Sequence, residues 1–411
     1  MISVQNHLQP LSGSKYIIVI LMALYLSACS PRVQTVTKNA PSKEKEKVEE
    51  VIKPPKKFKE ATVSLLVPFN LQEFQSKPVT KAEIEKHAMA IDFYQGFKLG
   101  IDSAASFGLS FKLLVHDTRE TTQQLDALLK SNFLEGSHLL VGPVFPEGLK
   151  YMATYSRQRD LPMVSPLAAS QPAEFANPNL ISIVNNIDLH AARIGDHITK
   201  KYKAQQTTAV LISTKNPSDE VLGKPLRTYF SSQRGQAIPF EEYASVFTME
   251  MKALKTRKYV VMVSSSDFKF VAATLDKLNK MKKAGFNIEL YGHPDWLKQN
   301  YNIEKLQSLN TVITSSYKVN YKSAAVIDFI KKYRKAYQFE PGEFAFKGFD
   351  IGFYFGREFA RHGDDYLKHL TKDQYKGLHN SFSFIQDEQN GYINTSLNLL
   401  QYRNYDLINI E

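Results

Sequence analysis

Short apolar runs and longer amphipathic stretches follow one another along most of the chain. In the first half, the apolar runs that we interpret as strands lie at 61–69, 109–118, 138–147 and 161–166. The stretches between them repeat apolar residues at close to 3.6 positions, which predicts helices at 89–107, 121–134 and 149–160. Strands that do not alternate and are separated by helices favour a parallel sheet covered on both faces.

The same order restarts in the second half and changes only at the end. The further predicted strands lie at 207–214, 258–267 and 287–297, and the further predicted helices lie at 189–202, 217–233, 268–285, 324–338 and 346–363. Residues 379–404 alternate around Asn390-Gly391, which predicts a hairpin with a type I′ turn. The predicted fold is therefore α/β, with two units that each hold a mainly parallel sheet flanked by helices, and with a C-terminal β-hairpin.

The N-terminal segment has the pattern of an export signal. The apolar run YIIVILMALYL at 16–26 follows Lys15 and is shorter than the roughly 20 residues of a membrane-spanning helix. Next comes Leu26-Ser27-Ala28-Cys29, which resembles the lipobox of bacterial lipoproteins. We therefore predict a signal peptide over 1–28 and lipidation of Cys29. The several acyl chains would give a stable anchor, since each buried methylene contributes about 0.8 kcal/mol.

Cys29 is the only cysteine of the chain. A single cysteine excludes disulfides within the chain, and the commitment of Cys29 to lipid excludes a thiolate catalyst and a cysteine metal site. A plain secretory signal with a chance cysteine is the alternative to lipidation. Because Ser30 rather than Asp follows Cys29, the sorting rule best known from enteric bacteria gives no signal for inner-membrane retention. We expect a lipid-anchored protein of the outer membrane that faces the periplasm, with the inner membrane and the cell surface left open.

Residues 29–60 read as a tether between the lipidated Cys29 and the folded part. KEKEKVEE at 43–50 and KPPKKFKE at 53–60 combine mixed charge, proline and low hydropathy, which predicts a disordered linker. At about 3.3 Å per residue it reaches at most roughly 100 Å. A short charged helix at 43–52 is the alternative.

The formal net charge of +11 indicates anionic neighbours such as phospholipid headgroups or wall polymers. The basic residues are dispersed, so a merely solvated surface is the simpler interpretation. The chain has no arginine-rich cluster and no pattern of spaced aromatic residues that would bind a single strand. We therefore expect no nucleic-acid partner.

Seven motifs, taken in their order and spacing, resemble the type 1 periplasmic-binding fold, the group that holds branched-chain amino-acid binding proteins and the ligand domains of many receptors. They are VSLLVPF, FYQGFKLGID, LLVGPVFPE, LPMVSPLAAS, VVMVSSSD, ELYGHPDW and AFKGFDIGFYF, within 61–405. The chain resembles, more distantly, the outer-membrane lipoprotein activators of peptidoglycan synthases. The resemblance implies two lobes, of which the first takes 61–185 with about 315–365 and the second takes 186–314 with about 366–411.

The resemblance also implies a ligand cleft between the lobes, at the carboxyl ends of the strands. The candidate ligand-binding residues are Asn70, Gly142, Ser165 and Leu167 in the first lobe and Asp267, Asp295 and Trp296 in the second. In amino-acid binders the first-lobe loops present amides and hydroxyls to the ligand, and Ser165 is the matching hydroxyl. Asp267 or Asp295 would meet an ammonium group, and Trp296 would stack on the ligand.

Each of these candidates has a structural alternative. Gly-Pro and Ser-Pro after a strand are common turns, Trp296 suits local packing, and Asp267 suits a helix N-cap worth about 1 kcal/mol. The chain also has no clear double-Ser or Ala-x-Thr pair of the kind that amino-acid binders use. That departure argues against amino-acid recognition of the usual form.

No catalytic, cofactor or metal site is predicted. GxSxG, HExxH, GxxxxGK[ST] and GxGxxG are all absent. His190 and His197 share one face of a predicted helix and are interpreted as surface or core residues. His362, Asp364 and Asp365 follow a helix end, where they suit capping and solvation, and the aromatic residues over 344–359 have the spacing of a packed core.

Two functions of different kinds remain open. One is an envelope lipoprotein that binds a small solute, such as an amino acid, a peptide or a wall fragment, in the cleft without catalysis. The other is a ligand-free scaffold or regulator that docks a cell-envelope or peptidoglycan-synthesis protein. Its membrane contact in either case would be the N-terminal lipid.

Overall fold

The structure is a computed structural model that describes residues 58–72, 80–232 and 238–411. These residues belong to one compact unit, 55–411. The predicted signal peptide, Cys29 and nearly all of the predicted tether lie outside the described residues. Among the helices that are described, none is both long enough and apolar enough to cross a bilayer.

The strands and helices alternate over most of the chain, as predicted. The strands are β1 (Glu60–Val67), β2 (Ser110–Asp117), β3 (Leu139–Val141), β4 (Met163–Ser165), β5 (Leu180–Ser182), β6 (Thr207–Ile212), β7 (Phe240–Tyr243), β8 (Lys258–Val263), β9 (Asn287–Gly292), β10 (Val312–Ser315), β11 (Gln374–Lys376), β12 (Ser381–Asp387), β13 (Gly391–Asn394), β14 (Asn398–Arg403) and β15 (Asp406–Asn409). The α-helices are α1 (Lys81–Ala104), α2 (Thr122–Lys130), α3 (Pro146–Gln158), α4 (Ile187–Lys201), α5 (Pro217–Ser232), α6 (Val246–Glu250), α7 (Phe268–Lys283), α8 (Ile303–Ser308), α9 (Ala324–Tyr337) and α10 (Glu343–His362).

Two sheets organise these elements into two lobes. The first sheet has the strand order β11-β12-β13-β5-β4-β3-β1-β2, and the second has the order β15-β14-β10-β9-β8-β6-β7. Neighbouring strands from β1 to β5 are parallel, as are those from β6 to β10. The antiparallel pairs come from the C-terminal strands. This confirms the predicted α/β class with two mainly parallel sheets.

Each sheet has an apolar core on both of its faces. In β1, Leu65 packs on the face covered by α1 and α10, where it meets Phe93 and Phe355. The next residue, Leu66, packs on the opposite face with Met152 of α3, because successive strand side chains point to opposite faces. The second sheet is covered in the same way by α7 on one face and by α4 and α5 on the other. Continuous apolar strands are thus explained by burial on both sides.

Helices α1 and α10 pack with their backbones in direct contact. A Cβ atom added at Gly348 of α10 would overlap the carbonyl oxygen of Phe93, and one added at Gly96 of α1 would overlap that of Ala345. Asp350, also on α10, is fully buried. Its carboxylate accepts hydrogen bonds of 2.8 Å from the backbone N–H groups of residues 378–380. Helix α10 therefore ties α1 to the segment that precedes β12.

The C-terminal segment differs from the predicted division of the chain, which placed about 366–411 in the second lobe. Only β14 and β15 join the second sheet, whereas β11, β12 and β13 extend the first. Tyr392 and Ile393 of β13 pair with β5, and Phe382, Phe384 and Tyr392 pack into the first core. Their apolar side chains are therefore covered by α10 and not by the second lobe.

The C-terminal hairpin is present, but its predicted type I′ turn is wrong. That turn needs positive φ at both central residues, and at this turn only Gly391 has it, at 81°. Asp387 instead accepts hydrogen bonds of 2.9 Å from the N–H groups of Gln389 and Asn390. The Asp side chain therefore closes a three-residue loop between β12 and β13.

Candidate functional site

A cavity of about 480 Å³ lies in the cleft between the two lobes. The first lobe contributes residues 169–171 and Glu174, after β4, and residues 184–185, after β5. The second lobe contributes residues 293–295, 297 and 298, which follow β9, residues 314–317 at the end of β10, and Ile187, His190 and Val221 from helices α4 and α5. The cavity is therefore built mainly from loops at the carboxyl ends of strands, where open α/β sheets usually bind ligands.

Two buried histidines form part of the second-lobe wall. His190 of α4 lies 2.8 Å from the hydroxyl of Thr314 through its Nδ1 atom, and burial, with the nearby His293, lowers its pKa to about 4. In His293, Nδ1 accepts a 3.1 Å hydrogen bond from the N–H of Asp295, and burial lowers its pKa as well. Both imidazoles are therefore neutral at neutral pH and act as hydrogen-bonding groups.

Asp295 supplies a carboxylate to the cavity. It lies in the 3₁₀ helix Pro294–Lys298, and the ammonium of Lys298 is 2.7 Å from its Oδ1. Burial opposes ionisation, but the hydrogen bond from Lys298 and the positive charge of that residue outweigh it, so the pKa of Asp295 is lowered. Asp295 and Lys298 thus form an ion pair at the cavity wall, with 44% of the Asp295 side chain exposed to solvent, and Glu174 adds a second carboxylate to the lining.

Asn185 lines the cavity just before α4 and has an unsatisfied acceptor. Its amide Nδ2 donates a 2.7 Å hydrogen bond to the carbonyl of Asn394, which fixes the orientation of the amide group. The other amide atom, Oδ1, is buried and has no hydrogen-bond partner. A buried acceptor without a donor costs about 1–3 kcal/mol, so a ligand N–H or O–H group would stabilise it.

Four of the predicted ligand-binding residues lie in the first lobe and do not line this cavity. Asn70 and Gly142 are buried at the ends of β1 and β3, and Ser165 pairs with Ser182 within the sheet. Leu167 packs against the first core. The loop that follows Gly142 contributes to a separate cavity of about 210 Å³ within the first lobe. The structure brings none of the four into the inter-lobe cavity.

The other three predicted residues lie in the second lobe, and only Asp295 reaches the cavity. Asp267 caps α7, with its carboxylate accepting a 2.8 Å hydrogen bond from the N–H of Phe270. Trp296 is fully buried, and its indole N–H donates a 2.9 Å hydrogen bond to the carbonyl of Ser265. Their placement differs from the prediction of ligand contact and agrees with the alternatives, a helix cap and local packing.

Sequence reasoning missed three groups of this cavity. Asn185 carried one weak signal, since Asn185-Asn186 directly precedes a predicted helix, and Asn186 does cap α4. His190 was interpreted as a surface or core residue. His293 stood beside the candidate Asp295 and was passed over. Asn185 precedes α4, His190 lies in the first turn of α4, and His293 follows β9. A single sequence does not show that these three positions meet.

The family of the protein follows from comparison with known proteins. A family model described as periplasmic binding protein matches residues 87–403, and the chain belongs to this family. The comparison with curated proteins found no match. This membership, together with the two sheets, confirms the predicted type 1 periplasmic-binding fold.

Solved structures show the same fold at low identity. One is a putative branched-chain amino acid ABC transporter from Rhodospirillum rubrum, with 14% identity, a TM-score of 0.62, and coverage of 85% of this chain and 100% of the other. Another is the C-domain of LpoA from Haemophilus influenzae, a regulator of PBP1A, with 13% identity, a TM-score of 0.56, and coverage of 85% and 100%. The full-length LpoA of that organism is matched over 59% of its length and 86% of this chain, with 14% identity and a TM-score of 0.56. Identities this low support the fold alone.

Proposed function

We propose that this protein is a non-catalytic, lipid-anchored envelope protein that binds a small polar solute in the cavity between its lobes. The observation that carries the proposal is the buried Oδ1 atom of Asn185, an acceptor without a donor in a residue that lines the cavity. Membership of a solute-binding family supports binding without catalysis. The lipobox at 26–29 supports the anchor, and Ser30 supports the outer membrane facing the periplasm.

The chemistry of the cavity defines the class of solute. Asn185 Oδ1 and the Asp295 and Glu174 carboxylates are hydrogen-bond acceptors, while Lys298 offers a positive charge. A solute with an ammonium or amide N–H and a carboxylate matches this set, as an amino acid, a short peptide or a peptide-bearing wall fragment does. The volume of about 480 Å³ lies within the range of roughly 300–1,000 Å³ for small-molecule sites.

The predicted first-lobe residues remain part of this proposal. Periplasmic-binding lobes close on their ligand by a hinge motion, and such closure would bring the ends of β3 and β4 towards the second lobe. In that case Ser165 would reach the ligand, and Ser165→Ala would weaken binding. If closure does not involve these loops, that substitution leaves binding unchanged.

Thermal unfolding of the compact unit 55–411 against amino acids, short peptides and muropeptides tests the proposal. A ligand at 100 times its dissociation constant adds about 2.7 kcal/mol to stability, so we expect a reproducible rise in melting temperature with one compound. Asp295→Asn and Asn185→Ala should reduce it. The matched control is Asp328→Asn on α9, whose aspartate also pairs with a lysine, at 2.9 Å, and is 61% exposed.

A panel without any shift would contradict solute binding in the cleft. The second hypothesis, a scaffold that docks a cell-envelope or peptidoglycan-synthesis protein, would then be pursued by crosslinking in intact envelopes. A shift that persists unchanged in both cavity variants would show that the ligand binds elsewhere.

A further inference from the structure

The end of helix α10 brings together three metal-ligating side chains, far along the chain from the cavity loops. Glu358 and His362 are four residues apart, which places them on one face of the helix, and Asp373 directly precedes β11. The Nε2 atom of His362 lies 3.7 Å from Oε2 of Glu358 and 3.6 Å from Oδ2 of Asp373. All three candidate ligand atoms lie within 4.8 Å of one another.

The state of the Glu358 carboxylate points to a ligand at this position. The residue is fully buried, and its Oε1 atom accepts hydrogen bonds of 2.9 and 2.7 Å from the guanidinium of Arg357. Its other oxygen, Oε2, is buried without a hydrogen-bond partner and is the atom nearest to His362. An unpaired oxygen of a buried carboxylate is unfavourable, and a second carboxylate close by adds repulsion. A cation between the three side chains removes both penalties.

We propose that Glu358, His362 and Asp373 form a binding site for a divalent transition-metal ion of the zinc type. One imidazole nitrogen with two carboxylate oxygens is a donor set that zinc accepts, whereas calcium and magnesium prefer oxygen ligands alone. Bonds of about 2.0–2.1 Å in a tetrahedral site separate the ligand atoms by roughly 3.4 Å. The two distances from His362, 3.6 and 3.7 Å, need only a small contraction to reach that value.

The surroundings also suit such a site. Arg357 holds one Glu358 oxygen and so orients the other, which is the role of an outer-shell partner. His362 is 23% exposed and Asp373 is 34% exposed, which gives an ion a path from solvent. Three protein ligands leave a fourth position for water. The ion would join the end of α10 to the segment that leads into β11, and would thereby strengthen the C-terminal extension of the first sheet.

The test is zinc binding by the full-length protein in detergent after removal of metal with a chelator. Calorimetric titration is expected to show one zinc ion per chain at this site, and the melting temperature is expected to rise with zinc. His362→Gln and Asp373→Asn should each weaken binding at least about tenfold, the scale seen when even outer-shell partners are lost. Far-UV circular dichroism checks that each variant folds.

The matched control comes from the neighbouring 3₁₀ helix Gly363–His369. Asp365→Asn removes a carboxylate that pairs with Lys368. It should keep the zinc affinity within about twofold, well inside the tenfold scale above. The proposal is overturned if no zinc binds, if binding is unchanged in both ligand variants, or if calcium binds and zinc does not.

Discussion

Replacing Gly348 by alanine tests the backbone contact between α1 and α10. In an ordinary helix this change stabilises a protein by up to about 1 kcal/mol. Here the new Cβ atom would overlap the carbonyl oxygen of Phe93, and a backbone atom has no rotamer by which to move aside. Overpacking of this kind costs typically about 1–3 kcal/mol. Because the obstacle is rigid we take the upper end of that range, and expect a net loss of about 2 kcal/mol.

Urea unfolding followed by far-UV circular dichroism measures this loss. Gly223→Ala is the matched control, since Gly223 is also a buried glycine inside a helix, α5. A Cβ atom there would meet Ser213 Oγ and Ser264 Oγ at 3.4 Å and Glu220 Oε1 at 3.5 Å, which is ordinary contact. We expect this control to be neutral or stabilising by up to about 1 kcal/mol. If Gly348→Ala is as stable as the unsubstituted protein, the two helices do not touch as described.

Three further predictions concern buried or half-buried polar groups. Asp350→Ala should lower the free energy of unfolding in urea by about 3 kcal/mol or more, because the amides of 378–380 lose a buried acceptor; a loss below about 1 kcal/mol would contradict this role. Since the pKa of His190 is about 4 in the folded protein and 6.5 when unfolded, protonation favours unfolding. Its contribution to stability is therefore complete above pH 6.5 and is lost as the pH falls towards 4. In urea titrations at several pH values, His190→Gln should make the free energy of unfolding depend less on pH in this range. For Glu289, burial raises the pKa but hydrogen bonds led by that from Lys258 outweigh it and lower the pKa to about 2. Its contribution to stability is present above pH 4.5 and is lost as the pH falls through about 2. In Glu289→Gln the free energy of unfolding should therefore fall less over this pH range than in the unsubstituted protein. An unchanged dependence on pH would contradict the pairing of Glu289 with Lys258.

The sequence predicted those parts of the fold that depend on local pattern. The predicted helix at 346–363 is close to the observed α10 (Glu343–His362), and the predicted helix at 217–233 continues through Pro225 as α5 (Pro217–Ser232). Strands β5, β7 and β10 were missed, because runs of three or four residues carry no periodicity. The equally short β3 and β4 were predicted from the apolar residues and prolines around them. The partner of β13 was also beyond prediction. Whether a hairpin adds to one sheet or another is decided by long-range packing rather than by the strand itself.

The candidate site was predicted less well, for a geometric reason. Asp295 and Trp296 are adjacent in sequence, yet one lines the cavity and the other is fully buried beside Gly292. In a 3₁₀ helix neighbouring side chains point in different directions. The sequence does not show which of the two side chains faces the cavity and which faces the core. The unpaired acceptor of Asn185 depends on the contact of that residue with Asn394, more than 200 positions away.

The first lobe contains segments from both ends of the compact unit 55–411. This arrangement determines when the lobe can be completed during synthesis. Strands β1–β5 emerge from the ribosome before α10 and β11–β13, which complete their sheet and its cover. Strands β6–β10 form one uninterrupted stretch in between. A chain that stops before α10 leaves Phe93 and Phe97 without their partner helix. The first lobe can therefore be completed only after residues 343–394 have been added to the chain, and until then its exposed apolar surface is prone to aggregation.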